Sequence, residues 1–223
     1  MTANAAPGPA QKRRFAPASR LAPALALLAA LLVSCTACAL VSPGPPPSRL
    51  QLHPALPAPL AAGPAQKQVI VAMPGAGREL ESDAIALVFH GREVRHLAGA
   101  RWTGSVPGIL QRFFVEAIES SRAAAGVSDD VTGLVANARL LSDIKAFGLE
   151  YADEKRPPRA RFAATFRLLD LYSGKMLAVH SIDNSLPASG NDAVALAAAC
   201  EKVLEKSLAE LAAWTGSELR RAK

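Results

Sequence analysis

Cysteine is scarce. Three in 223 residues cannot staple a small fold, which excludes a disulfide scaffold. No HExxH, GxSxG or GxxxxGK[ST] pattern occurs, so the common signatures of metalloproteases, α/β-hydrolases and P-loop enzymes are missing. Cys35-Thr36-Ala37-Cys38 matches CxxC, but no βαβ pattern of the redox kind surrounds it. No apolar run reaches the ~20 residues that a membrane-spanning helix needs. The first 34 residues contain no acidic residue at all. The formal charge of +6 suggests a nucleic-acid binder, and that impression fails once this segment is set aside.

That segment carries Lys12, Arg13, Arg14 and Arg20, then an Ala/Leu run from Leu21 to Ser34. A charged stretch followed by a short apolar one is the pattern of a secretory signal. The run ends in Leu32-Val33-Ser34-Cys35, which resembles a bacterial lipobox. In that motif the Cys is acylated and becomes the first residue of the mature chain. Cys38 is the second candidate, with Cys35 rather than Leu three positions upstream. The alternative is an ordinary secreted protein cut nearby. Beyond residue 34 the chain has 21 basic and 19 acidic residues, a balance of +2. Nucleic acid therefore loses its support as a partner.

Eight of the 17 prolines fall between Pro43 and Pro64. Proline removes a backbone donor and fixes φ, so residues 35–66 are expected to form an acylated, proline-rich tether, with a reach on the order of 80 Å in polyproline II geometry.

Residues 67–216 read as the folded domain. Gln68–Met73 and Ala84–His90 are predicted strands, and Gly91-Arg92 turns the second into Glu93–Ala98. A turn is expected over Gly99–Gly104, including Arg101-Trp102. Ser105 reads as an N-cap with Pro107 in the first turn. Leu110, Phe113, Phe114, Ala117 and Ile118 recur at helical spacing up to Ser121. Strands are predicted over Leu134–Tyr151, Arg159–Leu171 and Lys175–Ile182, the last two joined across Tyr172-Ser173-Gly174. A closing helix from Asp192 to Trp214 presents Ala197, Cys200, Leu204, Leu208 and Leu211 on one face, with Gly216 as its stop and residues 217–223 as a basic tail. The predicted fold is α+β: a mainly antiparallel sheet in the order β-β-β-α-β-β-β-α, with both helices on one face.

His53, His90, His96 and His180 have no second ligand at usable spacing, so no metal and no cofactor is expected. Cys200 reads as a small core residue. Lys155, Arg156, Arg159, Arg161 and Arg167 form a basic stretch. It reads as a solvated face or as a contact for anionic lipid head groups or an acidic partner.

The stretch from Val94 to Glu119 resembles the ABC-type transport auxiliary lipoprotein family, that of the small lipoprotein of the Pqi system. The matching residues are Arg101-Trp102, Pro107, Leu110-Gln111, Val115 and Ile118-Glu119. Further matches are Asp170 and Gly174 in a hairpin turn, Pro187, and the helix end Leu208–Trp214. Two family features are missing: an aromatic segment, where Ser48–Leu52 stands, and an "ADY" stretch near Gly126–Leu134. The resemblance implies a non-catalytic partner of a lipid transporter. It would be acylated on Cys35 and held in the lipid membrane, with Thr36 next in sequence rather than the Asp of inner-membrane retention. The implied location is the outer membrane, facing the periplasm. The implied partners are an MCE (mammalian cell entry) domain protein and its ABC or related transporter subunits, and self-association is left open. Arg101 and Trp102 are the candidate partner contacts, with core packing as the competing role. The alternative function is a lipoprotein that binds a lipid or other apolar ligand without a transporter.

Overall fold

The computed structural model describes residues 46–130, 133 and 135–222. The expected signal segment and both candidate acylation sites, Cys35 and Cys38, lie outside the described residues.

Nine strands and two helices follow one another in the order β1 (Ser48–Leu50), β2 (Gln68–Val71), β3 (Gly75–Ala76), β4 (Ala84–Phe89), β5 (Glu93–Trp102), α1 (Val106–Ser120), β6 (Gly126–Asp129), β7 (Ala138–Tyr151), β8 (Arg159–Asp170), β9 (Met176–Pro187) and α2 (Ala193–Arg221). A 3-10 turn, Arg78–Leu80, interrupts β3 and β4. The class is α+β, as expected, but the sheet is mixed and the element order differs. Five of the eight strand pairings are parallel; β4–β5, β7–β8 and β8–β9 are antiparallel. The long strand β7 organises this. Its one edge carries β8 along nearly its whole length. Its other edge carries β2 at residues 138–140, β3 at 143–144 and β4 at 149–151, all parallel. The segment from Gln68 to Phe89 therefore acts as one extended strand, broken by Pro74 and the 3-10 turn. Pro74 cannot donate to a ladder, so the pairing lapses there and resumes.

Both helices cover the same sheet face. Phe114 of α1 meets Phe162 and Phe166 of β8 edge-on, at 6.3 and 5.2 Å between ring centroids. Asn184, opposite Phe162 in the β8–β9 register, donates to Ser207 Oγ of α2 at 3.2 Å. Phe147, Phe162, Phe166, Leu140, Leu149 and Leu168 are fully buried beneath them. Burial of each such side chain contributes about 1.5–3 kcal/mol. Ser105 stands at the start of α1, but its hydroxyl makes no capping bond. Asp192 does cap α2, accepting from the Val194 and Ala195 N–H groups at 3.1 and 3.0 Å, worth about 1 kcal/mol.

Three boundaries move. The domain begins at Pro46 rather than residue 67. Residues 46–66, expected as tether, form a strap. Leu52 and Ala65 are buried, and Leu60 N–H donates to Ser121 O at 2.8 Å. Glu201 and Glu205 of α2 accept the His53 and Ala55 N–H groups at 2.8 and 3.1 Å. The prolines exclude this segment from a ladder but not from bonds to side-chain carboxylates. Second, α2 continues through Gly216 to Arg221, so there is no stop and no separate tail over the described residues. Gly216 is there for close approach. A Cβ on it would lie 2.8 Å from Leu60 Cδ1 and 3.3 Å from Ala123 Cβ. Third, Arg101-Trp102 belongs to β5 and not to a turn.

The strap is expected to loosen in acid. Burial raises the Glu205 carboxyl, but the Lys202 ammonium and the Ala55 N–H together outweigh it and leave it below its usual value. A depressed folded-state pKa means the contribution is complete above the unfolded value, about 4.3, and is lost as pH falls through the lower folded one. Hydrogen exchange of the Ala55 amide, corrected for its intrinsic pH dependence, should lose protection over that acidic window. Glu205→Ala should lose it already at pH 7, with protection of the β7 amides unchanged.

Candidate docking surface

Trp102 is 1% exposed and packs on Phe147, with centroids 5.9 Å apart. It is a core residue, and a partner could not reach it. It belongs to the main hydrophobic core, and β1 pairs beside it in the sheet, with Leu50 in register with Trp102. Arg101 points outward, half-exposed, and holds Asp83 Oδ1 at 2.9 Å; Arg49 of the strap reaches Asp83 Oδ2 at 3.5 Å. Arg101 and Arg49 thus share one carboxylate that joins strap, β5 and β4. Such exposed pairs are worth at most about 1 kcal/mol.

Among the described residues no group of three or more His, Cys, Asp and Glu side chains is placed to hold a metal ion. His53 lies in the strap and His90 in the β4–β5 turn, while His96 sits opposite Ala86; the pair His90 and His96 does not face across the hairpin. His180 Nε2 meets Glu210 at 2.9 Å and its ring stacks on Trp214, a clasp between β9 and α2. Cys200 is fully buried, and desolvation pushes its thiol up to about 12, so it is protonated at neutral pH. The basic stretch is dispersed. Arg161 binds Asp183 through two nitrogens, at 2.9 and 2.8 Å, and Glu150 at 2.8 Å. These bonds hold the Asp183 carboxyl below its usual range. Arg159 bonds Ser185 instead.

What the structure assembles, and the sequence reading missed, is the tip of the β8–β9 hairpin. Asp170 Oδ1 accepts the Ser173 N–H at 2.6 Å and its hydroxyl at 2.9 Å. These bonds keep the Asp170 carboxyl low. Gly174 N–H closes the turn on Asp170 O at 3.0 Å. On this braced turn Tyr172 is 100% exposed, and Leu171 and Met176 are 40% and 47% exposed. Val135 in the adjoining loop is also bare. The available signal was an aromatic in a turn, where Gly, Asn, Asp and Ser are the usual occupants.

The family model described as "ABC-type transport auxiliary lipoprotein component" matches residues 50–212. The chain belongs to that family. Among solved structures, the family's fold recurs in protein XCC0632 from Xanthomonas campestris, assigned to DUF330. The two share 26% identity and a TM-score of 0.71, over 78% of this chain and 98% of that one. Hypothetical protein CT253 from Chlamydia trachomatis shares the fold at 9% identity and a TM-score of 0.51, over 70% of this chain and 98% of that one. No curated protein matches in sequence. A lipoprotein family of this kind belongs to the cell envelope, and its description associates it with an ABC transport system. Among the described residues no helix is long and apolar enough to cross a membrane.

Proposed function

We propose that this protein is a non-catalytic lipoprotein of an MCE/ABC-type intermembrane lipid-transport system. Acyl chains on Cys35 hold it to the outer membrane, facing the periplasm, and it docks on the periplasmic MCE conduit. The observation that carries this reading is the braced, fully exposed Tyr172 with Leu171 and Met176, on a domain of an established transport-auxiliary family. A bare aromatic presented on a closed backbone turn is a typical anchor of protein interfaces. The aromatic core is filled by Trp102, Phe114, Phe147, Phe162 and Phe166, which favours docking over the enclosure of a lipid between helices and sheet.

The test is binding of the acylated, detergent-solubilised protein to the MCE protein of its own envelope. Replacing Leu171, Tyr172 and Met176 together by serine is expected to weaken binding by about tenfold to thirtyfold, the worth of one interfacial hot spot. The unfolding temperature should change little, because all three are surface residues. Unchanged affinity would remove the hairpin tip from the interface. A stoichiometric lipid in the purified domain, without MCE binding, would favour the transporter-independent alternative.

A further inference from the structure

Both helices cover one face of the sheet, and the other face of the β8–β9 hairpin is open. Phe162, Phe166 and Leu168 belong to the core under the helices, so the alternation of β8 turns Arg167 and Leu169 the other way. The register sets Leu141 and Val179 on either side of Arg167, and Met176 beside Leu169. A bulge is what puts Met176 there. Strand β9 has one extra residue, Leu177, between the pairs Leu168↔Ala178 and Leu169↔Met176, and Leu177 packs against the core. Residues three apart, such as Met176 and Val179, face opposite ways in a regular strand. The bulge brings both to the open face.

Val179 is 56% and Met176 47% exposed, and β9 pairs with no strand but β8 among the described residues. With Leu141 and Leu169 they form an apolar strip two strand spacings wide, about 10 Å. It continues from the hairpin tip toward the middle of the sheet. Contiguous apolar surface of this kind marks an interaction site.

A cation stands in the middle of the strip. Arg167 is half-buried, and its guanidinium has no ion pair among the described residues. The acids around it are placed or engaged elsewhere. Asp143 sits one row further, opposite Thr165, and makes no ion pair with it. Asp183 is held by Arg161, Asp130 by Arg139, and Asp170 closes its own turn. Covering the strip would take water from this guanidinium, and a buried cation without a partner is strongly unfavourable. A purely apolar cover is therefore rejected. A cover that brings a carboxylate gains a charge-assisted bond, of the two-pronged kind that arginine favours. A sheet of anionic lipid head groups fits less well, because it would also meet Asp143 and Asp183 on the same face. A single carboxylate on a protein meets Arg167 alone. Tyrosine, methionine and arginine, all present here, are the side chains enriched at protein interfaces.

We infer that the open face of the β8–β9 hairpin is the body of the docking surface whose tip is Tyr172, and that it receives a protein presenting an Asp or Glu carboxylate, set among apolar side chains, to Arg167. The inference rests on the hairpin tip being a docking site. It does not depend on which envelope protein docks there.

The full chain is produced in its own envelope with p-benzoylphenylalanine in place of Val179 or of Tyr172, and the photo-adducts are identified by mass spectrometry. Position 179 is expected to capture a protein segment that contains Asp or Glu. Arg167→Glu should then weaken binding of the captured protein by about thirtyfold or more, the loss on breaking one buried charge pair. Arg167→Lys should keep most of the binding, and neither change should lower the unfolding temperature. Exchanging the captured acidic residue for arginine should restore binding to the Arg167→Glu protein, which a merely structural role for Arg167 would not allow. A protein adduct at position 172 without one at 179, an adduct at 179 to lipid alone, binding that ignores Arg167→Glu, or a loss that charge exchange leaves unrepaired would overturn the inference. No protein adduct at either position would overturn the docking reading with it. Capture of a protein other than the MCE component, with the charge exchange working, would uphold the inference and remove the MCE assignment.

Discussion

Replacing Trp102 by alanine is expected to lower the stability of the protein by about 3–5 kcal/mol, the usual range for emptying a buried tryptophan site. In a domain of this size that is a fall of roughly 10–15 °C in unfolding temperature. The cost comes from three contacts at once. The indole is 1% exposed, lies against Phe147, and shares its strand position with Leu50 of the strap. Its loss therefore opens the core and uncouples β1. Among the described residues the indole N–H has no acceptor, so Trp102→Phe loses no hydrogen bond and should cost well under half as much. Arg101→Ala should cost at most about 1 kcal/mol, since its pair with Asp83 is exposed. Urea unfolding of the three variants, beside their binding to the MCE protein, separates core from contact. A Trp102→Ala protein that melts like the parent but fails to bind would return Trp102 to the interface.

Gly148→Ala is expected to be the most damaging small substitution in the sheet, at about 2–3 kcal/mol. A Cβ at Gly148 would lie 2.5 Å from the Ala86 carbonyl oxygen and 3.2 Å from Ala86 Cβ. The nearest obstacle is backbone, so no rotamer change relieves it. Strand β4 is held on its other side by β5 and cannot retreat without losing Leu87↔Leu149 and the pairs beyond. Overpacking of this kind costs about 1–3 kcal/mol. Gly126→Ala is the control, because there the nearest atom is the flexible Gln68 side chain at 3.5 Å. Thermal unfolding should rank Gly148→Ala far below Gly126→Ala. Hydrogen exchange should show fraying at residues 87–89 first. Equal stability of the two variants would mean that β4 and β7 separate freely.

Strong local patterns were legible. The helix over Val106–Ser120 is set by Leu110, Phe113, Phe114, Ala117 and Ile118, which bury one stripe wherever the rest of the chain goes. The hairpin of β8 and β9 is set by alternation and by a turn that Asp170 and Ser173 close locally. Family membership followed from an ordered set of short matches, which the family model covers from residue 50 to 212. The site was less legible. For Trp102 the sequence left core packing and partner contact both open, and its burial on Phe147, 45 positions downstream, decides for the core. Tyr172 looked like mere turn filling because exposure is not written in a residue's own neighbourhood.

By itself the sequence determined the α+β class, the two amphipathic helices, the antiparallel hairpin and the family. Each of these depends on periodicity, turn chemistry or motif over a few neighbouring residues. Only the tertiary structure decided that Gln68–Phe89 runs parallel to β7, that Gly216 lies inside a helix under Leu60, that residues 46–66 are strap rather than tether, and that Tyr172 is bare while Trp102 is buried. Those outcomes depend on which distant segment supplies a neighbour. That is settled by long-range packing, where a glutamate on α2 can satisfy a strap amide about 150 residues away, and local propensity carries no record of it.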